Sequence, residues 1–169
     1  KKDYISNSRS IIPPLEIDLF IPSNKFAIEF CGLYWHSEIS GEKSKNYHLI
    51  KTQKCLNAGI HLIHIFEDEW NNKKEIVKSI IKNKLRLTTN TIYARKCIIK
   101  PIETYDKNVF LTENHLQGSD KSSIKLGLYH DDILVAVMTL CESRFNKNYE
   151  WEISRFCSLL NTCVIGGFS

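Results

Sequence analysis

Leu15-Glu16-Ile17-Asp18-Leu19-Phe20-Ile21, then Phe26-Ala27-Ile28-Glu29-Phe30-Cys31, then Gly32-Leu33-Tyr34-Trp35-His36 carry the architecture of this chain. The first two read as short apolar strands with acidic side chains, linked by Pro22-Ser23-Asn24-Lys25, which has the composition of a hairpin turn. Side chains alternate along a strand, so Glu16 and Asp18 share one face while Leu15, Ile17 and Leu19 share the other. A carboxylate among apolar neighbours costs free energy unless it is paired, hydrogen-bonded or metal-bound. Acidic groups converging from adjacent strands therefore point to a divalent-metal site.

Working outward, the first ten residues are polar and expected to be only partly ordered, until Pro13-Pro14 leads into the strand at 15–21. Residues 39–45 read as a polar, glycine-containing loop, an expectation that falls outside the residues described below. A helical pattern runs from 46 to 58 through Tyr47, Ile50, Lys51, Lys54 and Cys55, with Gly59 as its stop. Residues 60–66 are an apolar strand ending at Glu67-Asp68-Glu69, and a helix is expected over 71–86. The order β-β-α-β-α predicts an α/β core with a mixed sheet over residues 12–88. Thr88-Thr89-Asn90-Thr91 is the expected boundary to a smaller α+β domain over 89–169. That half reads as a strand at 93–100, a helix at 105–115 and strands at 124–130, 133–141 and 149–157. Asp131-Asp132 is a hairpin turn in this reading, and 164–169 starts a turn into another element, as expected of a chain cut from a longer protein.

Composition narrows the function classes. Of the 169 residues, 43% are hydrophobic and 25% charged, ordinary values for a globular protein able to bury a real core. No apolar run approaches the roughly 20 residues of a membrane span, and no apolar segment follows Lys1-Lys2 as a secretory signal would. The six cysteines, at 31, 55, 97, 141, 157 and 163, contain no C-x-x-C pair and read as reduced thiols of a cytoplasmic protein. Residues 1–88 carry 14 Lys/Arg against 10 Asp/Glu, a balance of +4, whereas residues 89–169 carry 9 of each. Lys73, Lys74, Lys78, Lys82, Lys84 and Arg86 crowd one short helical segment, a pattern suited either to a phosphate backbone or to a solvated helix face.

Phosphodiester hydrolysis needs an activated nucleophile, charge neutralisation and a protonated leaving group, and these residue types supply all three. Asp18 and Glu29 would hold a magnesium ion. His36 would act as general acid or base. His48 and Lys51, three residues apart, share a helix face that would aim a cation at the phosphate. Each residue also has a plain structural reading: Asp18 and Glu29 as surface groups of edge strands, His36 as a hydrogen-bonded histidine, Lys51 as a solvated lysine, and Glu67–Glu69 as a helix N-terminal cap.

Glu16-x-Asp18, Glu29-Phe30-Cys31-Gly32-Leu33-Tyr34-Trp35-His36, Tyr47-His48-x-x-Lys51 and Ile65-Phe66-Glu67-Asp68-Glu69-Trp70 together resemble phage-encoded, homing-type endonucleases. Their nuclease domain is similar to the very-short-patch-repair endonuclease, in the PD-(D/E)XK superfamily. The resemblance covers residues 12–88 and implies a restriction-endonuclease-like, magnesium-dependent domain that cuts double-stranded DNA in the cytoplasm of a prokaryotic or phage-infected cell. By position, Asp18 takes the family's metal-binding aspartate and His36 its histidine. Two departures stand out. Leu33 replaces a cysteine of the repair enzyme's structural zinc site, so that zinc is not carried over. Cys31 occupies the superfamily's usual lysine position, and Lys51 is read as that lysine moved to the following helix. Asp3 is the one candidate for the family's N-terminal acidic residue.

The second half resembles the segment that follows the nuclease in such phage proteins, and its β-α-β-β-β order is similar to the opening of an acetyltransferase-type fold. No glycine-rich pyrophosphate loop lies within 89–160 to support coenzyme A binding. It reads as a DNA-positioning or scaffolding module, with Arg144, Lys147 and Arg155 as phosphate contacts and His115 and Gln117 as base contacts. Beside the homing-type endonuclease stand two alternatives: a mismatch-nicking repair endonuclease, and a DNA-binding module whose nuclease site is degenerate.

Overall fold

In the computed structural model, which describes residues 3–32 and 46–168, three antiparallel strands open the chain: β1 (Ile5–Ile12), β2 (Leu15–Ile21) and β3 (Phe26–Cys31). β1 differs from the expected loose tail. Its residues are mostly exposed, because among the described residues it is an edge strand paired to β2 alone, through Ile5↔Phe20, Ser6↔Leu19 and Ser8↔Ile17. Such a strand forms from backbone hydrogen bonds and needs no apolar alternation, so its sequence looks like coil. A 3-10 turn at Pro22–Asn24 joins β2 to β3, and Lys25 enters the left-handed region at φ 48°.

β4 (His61–Phe66) pairs with β3 in parallel, Ala27 opposite Leu62 and Glu29 opposite His64. A parallel pair requires a crossover, and helix α1 (Tyr47–Asn57) lies in it. Gly59 at φ 69° ends that helix as the sequence predicts. The sheet order is β1-β2-β3-β4, mixed as expected. Its core gathers Ile12, Ile17, Ala27, Cys55 and Ile60, with Phe20 and Leu62 packed against them. Ile17 and Cys55 are fully buried, and a side chain of the size of Ile17 contributes roughly 1.5–3 kcal/mol by its removal from water.

The expected helix at 71–86 is two helices, α2 (Glu67–Asn72) and α3 (Lys74–Lys84), broken at Lys73. The acidic cluster explains the early start. Glu67, Asp68 and Glu69 fill the first turn of α2, where the helix dipole favours them, and the Glu69 carboxylate accepts from the Phe66 N–H at 3.2 Å. The chain divides into compact units Lys1–Lys74 and Glu75–Ser169, with the division after the first residue of α3.

The second unit is α+β. The stretch read as one strand at 93–100 is two, β5 (Asn90–Tyr93) and β6 (Ile98–Pro101), separated by a 3-10 turn at Ala94–Lys96 and held in different sheets. β5 pairs in parallel with β10 (Thr162–Ile165), which stands where a turn was expected to begin. β6, β7 (Ile124–His130), β8 (Ile133–Glu142) and β9 (Trp151–Ser158) form an antiparallel sheet in that order. Asp131 and Asp132, at φ 49° and 61°, make the expected β7–β8 turn. Helix α4 (Thr104–Asn114) packs with the sheet through Phe110, Leu111, Ile102 and Val137. Buried Lys107 on α4 is held by Asp120, whose carboxylate also accepts from the Thr139 hydroxyl at 2.8 Å. Among the described residues, no helix is long and apolar enough to cross a membrane.

Candidate functional site

β2 and β3 stay paired from Ile21↔Phe26 to Leu19↔Ile28. One step further, in the same register, Asp18 faces Glu29. There the Asp18 carboxylate accepts from the Phe30 backbone N–H at 2.8 Å, which fixes the aspartate at the end of the ladder. Glu29 is buried at 4% exposure, on the same strand face as Ala27 and Cys31.

Lys51 reaches the same point from α1. It is 1% exposed, its ammonium donates to Glu29 Oε1, and it lies 5.5 Å from the centroid of the Tyr47 ring. The sequence brings it there by spacing, since Tyr47, Lys51 and Cys55 recur at i, i+4 and i+8 and share the helix face turned to the sheet. Burial pushes the Glu29 carboxyl up, against the pull of Lys51, and the neighbouring charge of Asp18 adds to the rise. Burial alone would pull Lys51 down, but hydrogen bonding and attraction to Glu29 hold it above the ordinary lysine value. Lys51 therefore stays a cation at neutral pH.

Glu29 Oε2 is buried and has no hydrogen-bond partner. A buried carboxylate oxygen left so costs free energy, and a second carboxylate opposite it adds repulsion. Carboxylate oxygens are the donor class that hard divalent cations take, and here one Glu29 oxygen is held by Lys51 and the other has no hydrogen-bond partner.

A second convergence shares these elements. Cys31 Sγ lies 3.7 Å from His64 Nδ1 and 3.9 Å from His48 Nδ1, and the two histidine nitrogens lie 3.3 Å apart. The imidazole rings meet nearly perpendicular, at 89°. His64 Nε2 contacts the Thr52 hydroxyl at 3.0 Å. His48, expected beside Lys51 at the phosphate, thus has its Nδ1 with Cys31 and His64, one helical turn before Lys51. Sequence reasoning misses His64. Its one signal is a histidine inside an apolar strand, on the face of Leu62.

The other expected residues are dispersed. His36, with Tyr34 and Trp35, lies outside the described residues. Glu16 pairs with Arg9 at 3.0 Å on the exposed side of β1 and β2, and Asp3 is exposed ahead of β1. On α3, Lys78 pairs with Glu75 at 2.7 Å and Lys82 donates to Asn161 at 3.2 Å. Lys74 lies 5.1 Å over the Trp70 ring, and Lys73 is half-buried at the helix break. Arg144 pairs with Glu152 through both its side chain and its backbone N–H. Arg155 donates to the Ser154 carbonyl at 2.7 Å, and the two arginines line a cleft of the second unit with Lys121, Asp120 and Glu142. His115 Nδ1 accepts from the Gln117 N–H at 3.1 Å. No known protein family, curated protein or solved structure matches the chain.

Proposed function

We propose that the first unit is a magnesium-dependent DNA endonuclease of the restriction-endonuclease-like kind, homing-type and similar in design to the very-short-patch-repair enzyme. The observation that carries this reading is the buried Glu29–Lys51 pair opposite Asp18, with one Glu29 oxygen unpartnered. Carboxylates on neighbouring strands beside a lysine are the parts that phosphodiester hydrolysis requires, and the lysine reaches them from α1 because Cys31 stands in its usual strand position. This also argues against a degenerate site, since the charge missing from β3 is present on α1.

In this reading Asp18 and Glu29 hold the cation, which when bound neutralises phosphate charge and activates water. Lys51, 1% exposed, keeps its ammonium on Glu29, and so holds that carboxylate in place and balances its charge. The Phe30 N–H holds the Asp18 carboxylate against β3. His36 serves as general acid or base. DNA phosphates are contacted by Lys73 and Lys74 in the first unit and by Lys78, Lys82, Arg144 and Arg155 in the second, which acts as a scaffold, in the cytoplasm of a prokaryotic or infected cell.

Cleavage of supercoiled plasmid in Mg2+ tests the proposal, with Asp18→Asn and metal-free buffer as controls. Magnesium-dependent conversion to nicked or linear DNA by the wild type, lost in Asp18→Asn, is the expected result. Cleavage that survives Asp18→Asn or chelation refutes the assignment.

A further inference from the structure

We infer that Cys31, His48 and His64 form a binding site for a zinc-class transition-metal ion, distinct in ligands from the carboxylate site. The three donor atoms come from three different elements, β3, α1 and β4, and meet at separations of 3.3, 3.7 and 3.9 Å. Ligands at tetrahedral corners, with metal–nitrogen distances near 2.0–2.1 Å and metal–sulfur near 2.3 Å, are about 3.4 Å apart for two nitrogens and about 3.6 Å apart for nitrogen and sulfur. The 3.3 Å and 3.7 Å sides match these values, and the 3.9 Å side to His48 is slightly longer.

The chemistry of the donors selects the ion. Two imidazoles and a thiolate suit Zn2+ and disfavour Mg2+ or Ca2+, which take oxygen. Cys31 is fully buried, and a thiolate there needs the positive charge that a metal supplies. Thr52 provides the outer support: its hydroxyl lies 3.0 Å from His64 Nε2, and by accepting an Nε2–H it would leave Nδ1 with the lone pair that a metal requires. Among the described residues three side chains supply ligands, one fewer than the four of a tetrahedral zinc site.

Sequence position places this ion next to the carboxylate site. Cys31 is two residues beyond Glu29 on the same strand face, His48 is one helical turn before Lys51, and His64 pairs laterally with Glu29. The ion would clamp β3, α1 and β4 together, and so hold Lys51 against Glu29.

Metal content and spectroscopy of the full chain test the site. The wild type is expected to bind one Zn2+ per chain, with an X-ray absorption shell of one sulfur and nitrogen or oxygen neighbours. Substituted Co2+ is expected to show a thiolate charge-transfer band and intense tetrahedral visible absorption. Cys31→Ser should abolish the charge-transfer band, whereas Cys97→Ser and Asp18→Asn should keep it. Thr52→Val should weaken Zn2+ affinity by about 10–100-fold, the usual effect of removing such support. A zinc shell without sulfur, or a wild type that binds neither Zn2+ nor Co2+, overturns the inference, and both measurements need only the wild type. Asp18→Asn separates the two readings, because it should lose plasmid cleavage while its cobalt spectrum stays intact.

Discussion

Lys51→Met is the sharpest perturbation of this fold. It keeps the length and apolar stem of the side chain but deletes an ammonium that is 1% exposed, leaving its 5%-exposed partner Glu29 with a second carboxylate opposite and no cation. Removing one partner of a buried ion pair costs about 3–5 kcal/mol, a large part of the 5–15 kcal/mol that holds a typical domain together. With a urea dependence of roughly 1–3 kcal/mol per molar, the unfolding midpoint should fall by about 1 M or more. Glu29 limits the damage by taking up a proton, so the loss should shrink as the pH is lowered. Adding Glu29→Gln removes the stranded charge, and the double variant should regain most of the lost stability, because a pair replaced by neutral groups of similar size is often no worse than the pair itself. Cleavage should not return with it. Urea titrations of the four members of this cycle, each with a plasmid assay, measure both effects. Strict additivity of the two single losses, or a Lys51→Met midpoint equal to wild type, would show that the pair is not coupled and that the reasoning is wrong.

Asp18→Asn should abolish magnesium-dependent cleavage while duplex affinity, read by gel shift, changes little; a large loss of binding would instead place Asp18 in DNA docking. His36→Ala should lower the cleavage rate roughly a hundredfold or more if it transfers a proton, and wild-type single-turnover rates would remove it from the chemistry. Neutralising Lys73, Lys74, Lys78 and Lys82 together should flatten the slope of log affinity against log salt by about 0.9 for each phosphate no longer neutralised; an unchanged slope means that this helix faces solvent. In the second unit, burial alone would raise Asp120, but hydrogen bonds from Ser154, Thr139 and Lys107 hold it down at about 2. Its folded value lies below the unfolded one, so its contribution is present above about pH 4 and is lost as the pH falls toward 2. Asp120→Asn should strand Lys107 at a cost of about 3–5 kcal/mol and remove this acid-dependent part of the unfolding curve; calorimetry between pH 2 and 5 checks it.

Short-range pattern is enough for much of this protein. The β2–β3 hairpin, α1 with its Gly59 stop, β4 and the Asp131–Asp132 turn are written in alternation, helical spacing and turn residues, and each is legible to within a residue or two of its place. Asp18 opposite Glu29 follows from the same logic, because two strands joined by a tight turn have one register. The split of the 71–86 helix is less legible, since the acidic run serves equally as a strand end or as the first turn of α2.

What only the tertiary structure decides is pairing between distant segments. β1 looks like a polar tail until β2 supplies its hydrogen bonds, and β5 and β10 have no local signal because each is half of a parallel pair about 70 residues apart. The same holds at the site. Spacing puts Lys51 and His48 on one side of α1, but not over which strand that side lies. Packing in this structure sets Lys51 on Glu29 and His48 between Cys31 and His64, which are separated by 33 residues. Periodicity fixes the direction in which a side chain points from its own element. The neighbour that it meets depends on how the elements dock, and docking is settled by the collective burial of Ile17, Ala27, Cys55 and Ile60, which no local stretch of sequence contains.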